Sequence, residues 1–259
     1  MARRKDIPDP GEALARELDH ALALLARGLD DEVAHEFRRS MKRARSLLGL
    51  MREEVGDAAY RRENRALRDA ARALAPMRDA RVLRQALARL GTRARVPRPK
   101  PASTVRLARV LAGTRARTAG WRMPRASWPA LAAGIERLYR HGRRALRAAE
   151  EHPTDRNLHE SRKQVKRLGA ALAFLAPAGA TRLKKAVQRA DAVAHDLGDD
   201  HDLALVARRP PGGRLSPGVQ RKLVERRRKL QERALREAHR LFRAKPNKFV
   251  TGLSLGRKR

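Results

Sequence analysis

From Asp31 to Val55 the apolar residues keep a helical beat. With 100° per residue, Val33, Phe37, Met41, Ala44 and Leu48 fall within an arc of about 80°. The opposite arc carries His35, Arg38, Arg39, Lys42, Arg43 and Arg45. A helix with so long an apolar stripe is unstable alone and has to bury it against other helices. The same period recurs along most of the chain. Ala, Leu, Arg and Glu dominate, all good helix formers, aromatic residues make up 3%, and no segment alternates with period two. The sequence therefore predicts an all-α protein.

Helices are expected over about 11–28, 31–55, 57–75, 78–94, 103–119, 127–151, 155–176, 179–198, 201–208 and 217–244. Asp30, Ser103 and Ser127 stand where N-caps belong, the last with Pro129 in the following turn. Gly28 and Gly198 read as helix stops. The stretch TRARVPRPKPAS (92–103) reads as a basic, Pro-rich linker, RRPPGGRLSPG (208–218) as another loop, and 246–259 as a disordered basic tail.

The linker separates two similar halves. His35, Arg38, Arg39, Lys42 and Arg43 match His159, Arg162, Lys163, Lys166 and Arg167 at a constant offset of 124. LAPMRDARVL (74–83) matches LGDDHDLALV (197–206) at an offset of 123, placing Asp79 on Asp202 and Leu74 on Leu197. Two blocks repeated in one order point to a duplicated helical unit. On the second helix Val165, Leu168 and Leu172 lie opposite its basic row.

The rows lack the acids that relieve an ordinary wet surface. No Asp or Glu occurs between Arg38 and Arg52, nor between Arg162 and Ala176. Like charges at i,i+4 cost a helix roughly 0.2–0.5 kcal/mol per pair, so the spacing points to an anion-binding face. The whole chain agrees. It holds 62 Lys and Arg against 28 Asp and Glu, a formal net charge of +34. Such a charge repels itself when compact. A polyanionic partner offsets it, whether nucleic acid, an anionic membrane surface or inorganic polyphosphate. Arg, with its planar fork of donors, suits phosphate oxygens.

Other chemistries fit poorly. The absence of cysteine excludes disulfides and thiol catalysis. No leader-like or membrane-spanning apolar run is evident, so a cytoplasmic protein is expected. The cluster His195, Asp196, Asp199, Asp200, His201 and Asp202 reads as capping acids at a helix-to-helix turn, and no metal site or cofactor is expected. No Gly-rich phosphate loop is recognisable, so no enzymatic activity is expected. A nucleic-acid-binding protein is the alternative, but the chain lacks aromatic stacking platforms and standard modules. Beside phosphate, imidazolium would be favoured at His35 and His159.

The repeated H-x-x-R-[RK]-x-x-K-R row, with an [RH]-D step after each copy, resembles the CHAD family, the conserved histidine α-helical domain, over about residues 11–245. The resemblance implies two pseudo-symmetric four-helix bundles, at about 11–94 and at 127–208 with 217–244, around a basic central groove. It implies binding of inorganic polyphosphate and association with polyphosphate granules. Many members also carry a CYTH domain, whose E-x-E-x-K signature is not found here. Carried onto this chain, the binding set is both rows, Arg45 and Arg78, with Asp79 and Asp202 orienting basic neighbours. Arg65, Arg72, Lys184, Lys185 and Arg189 of the following helices are expected to line the same site.

Overall fold

The computed structural model describes residues 8–89, 96–97, 99, 102–123, 128–178, 181–208 and 215–253. None of these is in a strand. The helices are α1 (Pro10–Ala26), α2 (Asp31–Leu50), α3 (Arg52–Val55), α4 (Asp57–Ala73), α5 (Ala75–Arg89), α6 (Thr104–Arg117), α7 (Trp128–Glu151), α8 (Asp155–Leu175), α9 (Thr181–Arg208), α10 (Pro217–Leu241) and α11 (Pro246–Leu253). The fold is all-α, as the apolar period requires.

Local signals set most boundaries. The Asp30 carboxylate accepts from the Glu32 and Val33 amides at 2.9 and 2.7 Å, capping α2. Ser103 caps α6. Gly28, at φ 91°, takes the left-handed turn that ends α1. Ser127 and most of the 92–103 and 208–218 segments lie outside the described residues.

Four expectations are corrected. The helix expected over 31–55 breaks at Met51, where Arg137 of α7 reaches across and donates to the Gly49 carbonyl at 2.6 Å. The helix expected to start at 78 starts at Ala75. The two helices expected over 179–198 and 201–208 are one, and Gly198 is a buried position inside it. Part of the tail expected to be disordered, Pro246–Leu253, is helical, with Val250 and Leu253 buried. Phe249 explains its docking: its ring stacks on Tyr139 at 4.1 Å. The Tyr139 hydroxyl donates to the Leu241 and Ala244 carbonyls, pinning the α10–α11 turn.

The expected core arcs are buried. Phe37, Met41, Ala44 and Leu48 of α2 and Val165, Leu168 and Leu172 of α8 are all fully covered, each large side chain contributing about 1.5–3 kcal/mol. α2 packs on α1 and α4, α8 packs on α7 and α9, and α2 and α8 pack on each other. That direct contact brings the two basic rows together.

The acidic cluster does not cap a turn. Asp196 and Asp200 lie one turn apart on one face of α9 and hold α10. Arg227 donates to Asp200 at 2.8 Å and also pairs with Asp155. Gln231 donates to Asp200 at 2.9 Å and Arg233 to Asp196 at 2.6 Å. α10 is therefore docked along one face, while its other side stays exposed. A third buried acid, Glu63 of α4, accepts from Arg117 of α6 at 2.8 and 2.9 Å and from Arg62 at 2.6 Å. Burial alone would raise its pKa, but these hydrogen bonds outweigh it and hold the carboxyl low.

Candidate functional site

α2, α4 and α5 form one wall of a cleft of about 550 Å³, and α8 forms the other. The first wall presents Arg38, Lys42, Arg45, Arg68, Arg72 and Arg78. The second presents His159, Arg162, Lys163, Lys166 and Arg167. No Asp or Glu lines it. Ser46 and Asn64 supply neutral polar groups, and Asn64 accepts from the Arg45 Nε at 2.8 Å.

The helical period explains which residues enter. On α2, Arg45, Arg38 and Lys42 lie at about 280°, 300° and 340° relative to His35, one contiguous edge. Arg39 and Arg43, at about 40° and 80°, lie on the other edge and turn away. Arg43 pairs with Glu17 of α1 at 2.6 Å and with Glu36 at 3.2 Å, and Arg39 pairs with Glu36. His35 is exposed outside the cleft. On α8 the arc from Arg162 through His159 to Arg167 faces inward. The two rows are therefore presented unequally.

The deepest cations are matched. Arg38 donates to the Ala71 carbonyl, and Arg162 donates to the Ala194 carbonyl at 3.3 Å. Each guanidinium is thereby tied to the helix that follows its own row in space. Gly198 makes room for the second: a β-carbon there would lie 3.0 Å from the Arg162 Nη2. Ala75 occupies the matching position in the first half, where α4 ends and α5 begins. Arg78 spans the halves. Its guanidinium lies 3.4 Å from Asp79 and 3.8 Å from Asp202 of the other half.

Crowding of like charge shows in the pKa values. Burial, and then the Lys166 ammonium, lower Lys42 to about 7. Burial, Arg162 and Arg78 lower Lys166 to about 8. Both amines keep an outer surface open at the mouth of the cleft, although protein flanks them on most sides. Residual water moderates the desolvation. Burial and Arg167 lower Arg45 to about 10. For a group that binds anions, each depressed value marks positive charge held at a cost until an anion arrives.

Before any phosphate binds, the histidines lean toward the neutral form. The His159 ring lies tilted beside that of His201, centroids 4.7 Å apart. Burial, then His201, Arg162, Lys163 and Arg78, push it down to about 4. Its buried Nδ1 has no hydrogen-bond partner among the described residues. Burial and Arg81 also lower His35. Both shifts favour the neutral ring.

Of the residues expected in one site, Arg38, Lys42, Arg45, Arg72, Arg78, His159, Arg162, Lys163, Lys166 and Arg167 converge here. His35, Arg39, Arg43, Arg65, Lys184, Lys185 and Arg189 do not. Lys185 and Arg189 line a different pocket. Arg68, Ser46 and Asn64 join the lining beyond that set. Arg68 was legible as one turn before Arg72 on α4. The neutral residues carried no sequence signal. No group of three His, Cys, Asp or Glu residues poised for a metal occurs among the described residues.

The CHAD domain family model matches residues 12–210, well over half the chain and both rows. The chain belongs to the CHAD domain family. That family is associated with polyphosphate binding. No curated protein and no solved structure matches the chain. The cleft lies wholly within the matched residues, whereas α10 and α11 of this CHAD protein lie beyond them. No helix is long and apolar enough to cross a membrane among the described residues.

Proposed function

We propose that this protein binds inorganic polyphosphate in the cleft between α2 and α8, without turning it over. The observation that carries the reading is the convergence of cations from both basic rows on one cavity lined by no carboxylate. A linear phosphate chain has closely spaced charges. Arg38, Arg162 and Arg78 offer forked donors from the floor, and Lys42 and Lys166 offer ammonium groups at the mouth. Protein walls focus the field and speed capture. Phosphoryl transfer ordinarily relies on carboxylates that hold a metal, and the cleft supplies none, which favours binding over turnover. Binding of long chains would place the protein at polyphosphate granules.

Competition separates this reading from nucleic-acid binding. Labelled polyphosphate and duplex DNA are titrated against each other at equal phosphate concentration over a salt series. Polyphosphate should displace DNA far more readily than the reverse, and affinity should fall as salt rises because counterions are released on binding. Displacement of polyphosphate by DNA would contradict the proposal. Phosphate release with added Mg²⁺ or Mn²⁺, abolished by row substitutions, would contradict the absence of turnover.

A further inference from the structure

A second cationic pocket lies away from the cleft. The first turns of α9, the end of α10 and α11 enclose about 410 Å³. Arg182, Lys185, Arg189, Arg240, Arg243 and Lys248 line it, with Leu241, Phe249 and Leu253 beneath them and no carboxylate in the lining. Arg240 pairs with Glu237, and Arg189 donates to the Arg240 carbonyl at 3.3 Å. Arg182, Lys185, Arg243 and Lys248 have no carboxylate partner among the described residues.

The surroundings argue against an ordinary solvated face. Several cations of the same two helices are paired: Arg227 and Arg233 meet Asp200 and Asp196, Arg228 meets Glu232, and Lys229 meets Glu225. Within this pocket four cations share one concavity with no carboxylate in its lining, although like charges gathered there repel. The walls are also fixed before any ligand arrives. Tyr139 holds the α10–α11 turn through two carbonyls and stacks on Phe249. Phe242 fills the space that Gly142 leaves, where a β-carbon would lie 2.4 Å from its ring. A preorganised, concave group of unpaired cations is what a compact polyanion requires.

We propose that this pocket is a second anion site, independent of the cleft, that takes a compact oligophosphate about three phosphates long. Its cations are too many for one phosphate, and its volume suits a short run of phosphates. Two of its three walls, α10 and α11, lie outside the residues matched by the family. The choice of phosphate as the anion rests on the function proposed above. The site itself rests on geometry alone. The triphosphate can come free or carried on a nucleoside, whose apolar part would lie over Leu241 and Phe249.

Calorimetric titration with tripolyphosphate tests the site. The unmodified protein should bind two per chain. Arg243→Ala with Lys248→Ala should remove one site, or weaken it about a hundredfold, the loss of two charge-assisted contacts, leaving the other unchanged. Lys42→Ala with Lys166→Ala should do the converse. Lys185→Glu, on the exposed face of α9, repeats the pocket test without touching the α10–α11 turn. Full stoichiometry and affinity in both pocket variants, with native helicity by circular dichroism, would overturn the proposal. So would a single site that the cleft variant abolishes. If the cleft variant changes nothing and the pocket variants lose binding, the cleft reading fails and the pocket stands. Adenosine triphosphate in a parallel titration names the source: loss of its binding in the pocket variants means a carried triphosphate, and binding of tripolyphosphate alone means a free one.

Discussion

Lys42 and Lys166, equivalent positions of two rows 124 residues apart in sequence, share one cleft, and the Lys166 ammonium is the strongest charge acting on Lys42. Helical period alone puts each lysine on the wet face of its own helix. Only the packing of α2 on α8 makes them neighbours. Their shared charge has consequences for pH, for stability and for ligand capture.

Binding should take up protons. The folded pKa of Lys42, about 7, lies below its ordinary 10.5. A bound polyanion favours the ammonium and moves the pKa back up. At pH 8 a proton is therefore gained on binding, and affinity should fall as pH rises from about 7 to 9. Titrations at pH 8 in buffers of differing ionisation enthalpy should show the uptake, and Lys42→Gln should reduce it.

The free fold should respond in the opposite sense. Between about 7 and 10.5 the unfolded chain binds the proton more tightly, so stability rises with pH across that window and is lost as pH falls through it. Lys42→Met removes the burden. Because the amine keeps contact with water, the gain is discounted to about 0.5–1 kcal/mol, a rise of roughly 1–4 °C for a chain of this size. Thermal denaturation at pH 7 with and without polyphosphate checks both signs: Lys42→Met should melt higher when free and gain less from ligand.

Gly198→Ala should separate stability from binding. Inside a helix alanine gains about 1 kcal/mol over glycine. Its β-carbon would press on the Arg162 guanidinium at 3.0 Å, displacing it from the Ala194 carbonyl. The variant should melt no lower than the parent and bind polyphosphate about 3–10-fold more weakly, as for one charge-assisted contact loosened. Equal affinity would show that the position of Arg162 is not critical.

The two edges of α2 should behave differently. Arg39→Gln and Arg43→Gln remove cations already paired with Glu36 and Glu17 on the edge of α2 away from the cleft, and polyphosphate affinity should change less than about threefold. Arg38→Gln should cost about tenfold or more, consistent with a charged hydrogen bond worth about 1.5–3 kcal/mol.

Arg227 tests the docking of α10. Arg227→Ala leaves Asp200, 2% exposed, without its charge partner. Stranding a buried charge costs about 3–5 kcal/mol. Urea denaturation should show the loss at pH 7. Asp155, lowered against its burial by Arg227 and Arg208, contributes stability above its ordinary pKa of 3.8 that fades as pH falls through the depressed value.

The helices and both core arcs were legible because apolar period is a local property. Asp30, Ser103 and Gly28 likewise act within their own turns. What the sequence hid is tertiary. Gly198 reads as a stop, yet it is the small residue over which Arg162 lies. Asp196 and Asp200 read as caps because their partners Arg233 and Arg227 sit roughly thirty residues on. Arg39 and Arg43 repeat the positions of Lys163 and Arg167, but Glu17 stands only beside the first pair. Lys185 and Arg189 follow the motif in sequence and face another pocket. A repeat therefore identifies equivalent positions without guaranteeing equivalent surroundings.

The proposed function requires both rows to hold one phosphate chain at once. Stoichiometry and affinity of a short polyphosphate distinguish one joint site from two separate ones. The measurement uses the Arg243→Ala, Lys248→Ala background, with Arg38→Glu and Lys42→Glu in one variant and Arg162→Glu and Lys166→Glu in another. One joint site predicts one chain bound per protein, and affinity lowered at least a hundredfold by either reversal, since each removes two charged contacts of about 1.5–3 kcal/mol. Two chains bound by the background protein, with each reversal deleting one and leaving the other at full affinity, would contradict it.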